Sequence, residues 1–506
     1  MKTKENHSQF YDKIELGVIY LYVKKNRMNQ KQIKFLCLED LVPQDHLLRD
    51  IDRAIDFSFI YEEVQGLYGE EAWGKPGVDP VCLFKIVFVQ YIFGIRSMRQ
   101  TIKEIEVNNA YRWFIGYDIG ESIPHFTTFG KNYSRRFKDT DIFERIFTRI
   151  LQEAVRCGFV DASAVFMDGT HIKANANKRK ASQQVVEKQA RHYQQQLDEE
   201  IAKDRQAHDK KPFKKKDDND PEPPETHTIK QSTTDPESGL FHKGEHEKCF
   251  AYVANTACDR HNFILDFDLA PGNTHDSRLF DDLYGRLLEK FPQMQVIAVD
   301  AGYKTPWIMK QIMDSKRIPA VPYKRPMTQA GFFKKYQYVY DEYYDCVLCP
   351  ANRILQYSTT NREGYREYKS NPTDCQSCSY LSQCTKSKSH QKVVILHVWD
   401  KYMELAEDYR HTPEYRDIYP MRGQTIERVF ADAKEKHALR YAQLRGLQKV
   451  KLQVTLTFAC MNLKKLAIWK RRKGILAPLF QDFWRKQTSK LSFGFSLLQK
   501  CTLRFA

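Results

Sequence analysis

The stretch "VIAVDAGYKT" (residues 296–305) sets four apolar residues ahead of Asp300, then turns through Ala301, Gly302 and Tyr303. A short apolar run bounded by a turn signal reads as a buried strand. "SAVFMDGTHIKA" (163–174) has the same build, with Val165, Phe166 and Met167 leading into Asp168 and Gly169. A carboxylate at the end of a buried strand is either a cap or part of a site. Two such strands in one chain raise the question of what would need both.

Around them the pattern alternates. Strands are expected at "CFAYVANTACDR" and "FILDFDLAPG", a helix from His275, a helix from Pro306 and a short strand "IPAVP". Such alternation predicts a mixed α/β sheet with flanking helices. Residues 159–324 form the first part of this core and 396–475 the second. A charged excursion at 178–230 interrupts it: 178–208 reads as one long polar helix with Val186, Tyr193, Leu197 and Ile201 on a stripe, and 209–230 as a flexible Pro-rich segment. "NTHDS" around His275 and Asp276 reads as a helix cap rather than a ligand set. A tail, 476–506, follows the core.

Residues 1–158 read as an all-helical N-terminal module. Asp79-Pro80 is a helix start and Ser97 caps a second helix, followed by "NNAYRWFIG". The segment 121–137 then feeds a short basic helix carrying Lys131, Arg135 and Arg136, with helix-turn-helix character suited to reading double-stranded DNA. Lys and Arg total 80 against 64 for Asp and Glu, a net +16 that favours a polyanionic partner. The longest apolar run, 81–95, contains Lys85 and Gln90 and is too short to span a bilayer, so it is a core helix and no membrane partner is expected. "MKTKENHSQFYDK" lacks the apolar segment of a secretory signal, which gives a cytoplasmic expectation.

Residues 325–395 have a Tyr- and Cys-rich texture. Cys346-x-x-Cys349 and Cys375-x-x-Cys378, with Cys384 six positions on, fit a structural zinc ribbon in which four of the five thiolates bind one Zn2+. A third carboxylate is sought on a helix crossing the sheet. "YPMRGQTIERVFADAKEKHALRYAQLRGL" (419–447) supplies Glu427 beside a buried stripe of Ile426, Val429, Phe430 and Ala433, with Asp432 and Glu435 as competitors.

Together these features resemble the DDE transposases of bacterial insertion sequences, in the branch with a Tyr-Arg-Glu-Lys signature. Tyr419, Arg422, Glu427 and Lys434 carry that signature, with one residue more than its usual spacing between Arg422 and Glu427. "DGTHIKANA", "LAPGNTHDSRLF" and "DAGYKT" are similar to the family's other motifs, and the likeness covers roughly residues 40–470. The resemblance implies an RNase H-like catalytic core in which adjacent central strands bring Asp168 and Asp300 together and Glu427 completes the trio. It implies two Mg2+ ions on these carboxylates, with Mn2+ able to substitute. It also implies metal-dependent cleavage at terminal inverted repeats, strand transfer into target DNA, contacts to DNA from Tyr419, Arg422 and Lys434, and a homodimer or larger assembly on DNA. A DDE or RNase H-like nuclease without strand transfer, and a transposase-derived DNA-binding protein, are the alternatives.

Overall fold

The computed structural model of the chain describes residues 36–68, 77–187, 193–213, 226–243, 247–325 and 328–476. The tail expected at 476–506 and the centre of the charged excursion lie almost wholly outside them. Helices of six residues or more are α1 (Leu47–Ala54), α2 (Phe59–Val64), α3 (Pro80–Ile92), α4 (Met98–Val107), α5 (Asn109–Ile115), α6 (Thr127–Asn132) and α7 (Ile142–Arg156) in the N-terminal part. Then come α8 (Gln194–Ala207), α9 (Phe280–Lys290), α10 (Pro306–Asp314), α11 (Asp400–Tyr409), α12 (Pro413–Ile418), α13 (Ile426–Lys436) and α14 (Leu447–Arg472).

Local chemistry sets the first helices where the sequence predicts them. The Asp79 carboxylate accepts from Cys82 N–H at the start of α3, and the Ser97 hydroxyl accepts from Gln100 N–H at the start of α4. Gly116, at φ 85°, ends α5 in the left-handed conformation that glycine adopts freely. Ten residues, 117–126, then precede α6, far more than the tight turn of a helix-turn-helix, so that expectation is corrected.

The first sheet contains β1 (Ala164–Lys173), β4 (Gly239–Lys243), β5 (Glu247–Cys258), β6 (Ile264–Pro271), β7 (Val296–Ala298) and β8 (Ile318–Ala320), in the order β4-β5-β1-β7-β8. Both β4 and β6 pair with β5, on successive halves of its length. β1 is antiparallel to β5 and parallel to β7, and β7 is parallel to β8. The remaining strands are β2 (Ala181–Glu187) and β3 (Thr226–Ser232), which pair as an antiparallel ribbon. Residues 178–208 are therefore not one helix. The first part is a strand, and only α8 is helical, with Leu197 and Ile201 buried as the stripe predicts. The end of the segment expected to be flexible supplies β3.

One continuous hydrophobic core runs from Val42 to Ala467. α14 is buried along most of its length and packs against α1, α3, α7 and β6. Asn462 on α14 accepts from Ile264 N–H at 2.9 Å and donates to Ile264 C=O at 2.8 Å. Lys470, from the basic run at the end of α14, is buried and donates to Ala54 C=O, while Arg471 pairs with Asp50 at 2.8 Å. The N-terminal helices and the sheet thus share their interior.

A second, all-antiparallel sheet of β9 (Val339–Asp341), β10 (Cys346–Leu348), β11 (Ile354–Thr360), β12 (Tyr365–Ser370) and β13 (Val393–His397) has a small core of its own. The α8 helix is clamped to it. Asp204 accepts from Arg366 and from the Thr360 hydroxyl, and His208 Nε2 lies 2.6 Å from Asp345 while its ring stacks on Tyr357. The excursion and the Cys-rich insertion, far apart in sequence, are one structural unit.

Asp204 is 7% exposed, so removing it strands the Arg366 guanidinium in a half-buried position. Asp204→Ala should lower the unfolding free energy by about 3 kcal/mol in urea titrations. Asp345 gives a pH signature. Burial pushes its carboxyl up, but hydrogen bonds from Tyr368, His208 and Tyr340 outweigh burial and hold it below the usual range. The associated stability is present above the unfolded pKa of about 3.9 and lost as pH falls through the lower folded value. The stability gap between the parent and Asp345→Asn should therefore narrow between pH 6 and pH 3.

Candidate active site

Parallel pairing of β1 on β7 aligns Ala164 with Val296, Val165 with Ile297 and Phe166 with Ala298. Continuing the register by two residues brings Asp168, midway along β1, and Asp300, two residues past β7, to neighbouring positions. The β1 strand runs on to Lys173, so the expectation that Asp168 stands at the end of its strand is corrected. The residues before them, Val165, Phe166, Met167 and Ile297 to Val299, are fully buried, so the core holds both strands where they reach the carboxylates.

Asp300 is exposed and extended (φ −77°, ψ 169°), and its side chain makes no capping bond to the 3-10 turn that follows. The turn is secured otherwise. The buried Tyr303 hydroxyl donates to Asn255 at 2.8 Å, and the buried Lys304 ammonium pairs with Glu407 of α11. Asp168 Oδ1 accepts from Gly169 N–H at 2.8 Å, and its Oδ2 accepts from Arg422 Nη2 at 2.6 Å.

The Arg422 partnership spans 254 positions of sequence and was not legible there. Arg422 is 5% exposed, so its charge is held against Asp168 within the fold. Its other terminal nitrogen, Nη1, is buried with no hydrogen-bond partner among the described residues, as is Nδ2 of Asn255. The orphaned Arg422 Nη1 beside the Asp168 carboxylate makes a mixed site, with an anionic oxygen to hold a cation and a donor suited to an anionic oxygen. Asn255, opposite Gly169 in the β1–β5 register, was read only as part of a strand.

Tyr419 stacks on Tyr415 with rings 8° from parallel, and the Arg422 guanidinium lies 5.8 Å from the Tyr419 ring. Burial is the main reason that the Tyr419 phenol is pushed up; the Asp300 and Asp168 charges add to it and Arg422 opposes it. The hydroxyl therefore stays protonated within the field of both aspartates.

The α13 helix packs across β1 and β5, and all four stripe residues, Ile426, Val429, Phe430 and Ala433, are buried. Glu427, in its first turn, is exposed and folds back towards the turn carrying Arg422, its Oε2 3.9 Å from where a Cβ on Gly423 would stand. Its competitors are occupied. Asp432 pairs with Lys436 at 2.8 Å, and Glu435 pairs with Arg440. Glu427 has no ion pair among the described residues. Lys434 is half-buried on the same helix. Among the described residues no three His, Cys, Asp or Glu side chains converge closely enough to hold a metal ion, so Asp168, Asp300 and Glu427 share a region without forming a finished cage.

Elsewhere, Lys131 and Arg135 are exposed, whereas Arg136 is held by Asn132 at 2.5 Å and by stacking over Tyr68 at 4.5 Å. His171 stacks on Phe241 and lies near Gly272 C=O, a packing role. His275 Nδ1 accepts from Ser277 N–H, as a cap does. Of the five cysteines, Cys349, Cys375, Cys378 and Cys384 line one cavity, while Cys346 is turned away from it. Cys346, although half of the first C-x-x-C pair, stands outside the set of four that lines the cavity.

Residues 36–135 match a family described as Transposase domain (DUF772), and residues 348–467 match one described as Transposase DDE domain. The second match covers Glu427 and Lys434; neither reaches Asp168 or Asp300. No curated protein and no solved structure matches the chain. The two family matches support a transposase of the DDE type, an enzyme acting on DNA. No helix among the described residues is long and apolar enough to cross a membrane.

A double-mutant cycle tests the buried ion pair. Arg422→Ala and Asp168→Ala should each destabilise the protein, with a coupling of about 2 kcal/mol read by chemical denaturation. A coupling near zero would mean that the pair contributes nothing to the fold.

Proposed function

We propose that this chain is a transposase that cleaves DNA at the terminal inverted repeats of its element and joins the freed 3′ ends to target DNA. The observation that supports this reading is the in-register pairing of β1 and β7, which, carried two residues past its end, would bring Asp168 beside Asp300, with Glu427 on a helix packed over the same sheet. We read the mixed sheet, with its adjacent central strands carrying these carboxylates, as RNase H-like.

The donor set fits magnesium, because it is made of carboxylate oxygens, and Asp300 and Glu427 are not engaged by capping or ion pairing among the described residues. Magnesium held by Asp168, Asp300 and Glu427 would activate the attacking oxygen and stabilise the leaving one at phosphorus, and manganese would substitute. The chain's own residues do the rest. Arg422 balances the charge of Asp168 and keeps Nη1 for a phosphate oxygen. Tyr419 offers a protonated hydroxyl and a ring face to the nucleotide beside the scissile bond. Lys434, two turns beyond Glu427, contacts a phosphate. In the N-terminal helices, Lys131 and Arg135 are the residues exposed for contact with the inverted repeat, whereas Arg136 orders its own helix. Two protomers hold two transposon ends together, so the active assembly on DNA is at least a dimer.

Asp168→Asn, Asp300→Asn and Glu427→Gln should each reduce cleavage and joining of inverted-repeat duplexes by three orders of magnitude or more, on the order of 4 kcal/mol of transition-state stabilisation, with DNA binding retained. Asp432→Asn and Glu435→Gln should still cleave. Hydrolysis without any joined product, in an assay supplying target DNA, would favour a nuclease over a transposase.

The basic helix gives a second test, made in the full-length chain because the N-terminal helices share its core. Arg135→Ala should weaken binding to inverted-repeat duplex by about 1–3 kcal/mol in anisotropy titrations and leave the thermal midpoint unchanged. Arg136→Ala should lower the midpoint, since it loses a hydrogen bond and a cation–π contact of about 1 kcal/mol.

A further inference from the structure

The Cys-rich sheet alternates as a pleated strand requires. Val347 faces the small core with Leu355, Tyr368, Val394 and Leu396. Its neighbour Cys346 therefore faces the opposite side, between Asp341 and Gln356 on the flanking strands. Cys349 leaves the strand and returns to the core side, packing there with Cys384.

The turn after Cys349 is built around its sulfur. Asn352 takes a left-handed φ of 56°, Cys349 N–H donates to Arg353 C=O, and Arg353 N–H donates to Cys349 Sγ at 3.3 Å. That N–H fixes the position of the sulfur within the turn. Opposite, a short helix over Pro372–Gln376, capped by Asn371, carries Cys375, and Cys378 N–H bonds back to Cys375 C=O at 3.1 Å. A second short helix, Leu381–Cys384, ends on Cys384. The four sulfur-bearing residues surround one cavity of about 20 Å³, room for a single ion or water, walled by Phe333 and Tyr380.

Polar groups stand beside the sulfurs. The Tyr338 hydroxyl lies 3.3 Å from Cys384 Sγ, and Lys392 lines the cavity while donating to Cys384 C=O. The Cys375 thiol is turned to the Ser370 hydroxyl at 3.2 Å and the four sulfurs do not converge to ligand distance, so side-chain rotation must accompany closure on an ion. The fold also needs a further tie, because six buried hydrophobic residues make a thin core for a five-stranded sheet.

We propose that Cys349, Cys375, Cys378 and Cys384 bind a structural zinc ion and that Cys346 takes no part. An all-sulfur set of four suits tetrahedral zinc rather than a hard cation. The ion ties the Cys349 turn to the two short helices and holds the face on which α8 docks. This proposal stands whether or not the chain moves DNA.

The experiment uses the full chain, purified under reducing conditions without chelator. Elemental analysis should find about one zinc per chain. Cys346→Ser should keep it, whereas Cys349→Ser, Cys375→Ser, Cys378→Ser and Cys384→Ser should each fall towards none. Because those variants can fail to fold, cobalt substitution of the parent and of Cys346→Ser supplies a second readout. Both should give the intense visible bands of tetrahedral thiolate cobalt. Absence of zinc together with absence of those bands overturns the proposal, as does loss of metal in Cys346→Ser with retention in any of the other four.

Discussion

Parallel pairing of two buried strands constrains everything else in this protein. Strands β1 and β7 can run side by side in the same direction only if the chain crosses back between them, and both of their faces must then be covered. The crossover here contains α8, the β2–β3 ribbon, three more strands of the sheet and α9. Asp300 follows the end of β7, and the parallel register carried two residues further puts it level with Asp168, the fifth of the ten residues of β1. Both follow residues with no solvent exposure at all. A pair of like charges at such a place is costly, and the structure answers it with a cation from the far end of the chain, Arg422.

The N-terminal helices are built into this arrangement rather than attached to it. Gly94, at φ 64°, packs so closely on the end of α13 that a Cβ would stand 2.6 Å from Lys436 C=O. His437, neutral because burial pushes its imidazole pKa down, contacts Tyr91 C=O through Nδ1 at 2.8 Å, and Gln90 bonds to Gln443. The helix bearing Glu427 is thus gripped at its C-terminal end by α3 and the turn after it, and along its buried stripe by the sheet. Its first turn, where Glu427 lies, is the open end.

What could be read from the sequence was what local chemistry decides. Caps at Asp79 and Ser97, the stripe on α13, and the apolar runs ending in Asp168 and Asp300 all depend on neighbours within a few residues. The misreadings have a common cause. "ASQQVVE" is polar and suits a helix as well as a strand, and only pairing with Thr226–Ser232, forty residues on, makes it β2. The two-residue spacing of Cys346 and Cys349 says nothing about where the pleat of β10 falls, and the pleat sends one sulfur to each side. Arg422 could be named from a signature, but its burial against Asp168 depends on the packing of α13 over β1.

The distribution of charge on α13 shows how one carboxylate is kept apart from its neighbours. Asp432 lies one turn beyond Arg428 and one turn before Lys436, at spacings where side chains on a helix meet, and it pairs with both. Glu435 is drawn off by Arg440. Glu427 stands in the first turn, where the helix end itself favours a negative charge, and the residue four positions before it is Gly423, which leaves room for its carboxylate to fold back. The same short stretch carries Tyr419 and Arg422, so the turn that clears room for the glutamate also delivers the arginine to Asp168. Two of the three carboxylates are therefore linked through the four residues between Arg422 and Glu427 and one ion pair, and the third follows the strand next to β1 in the register.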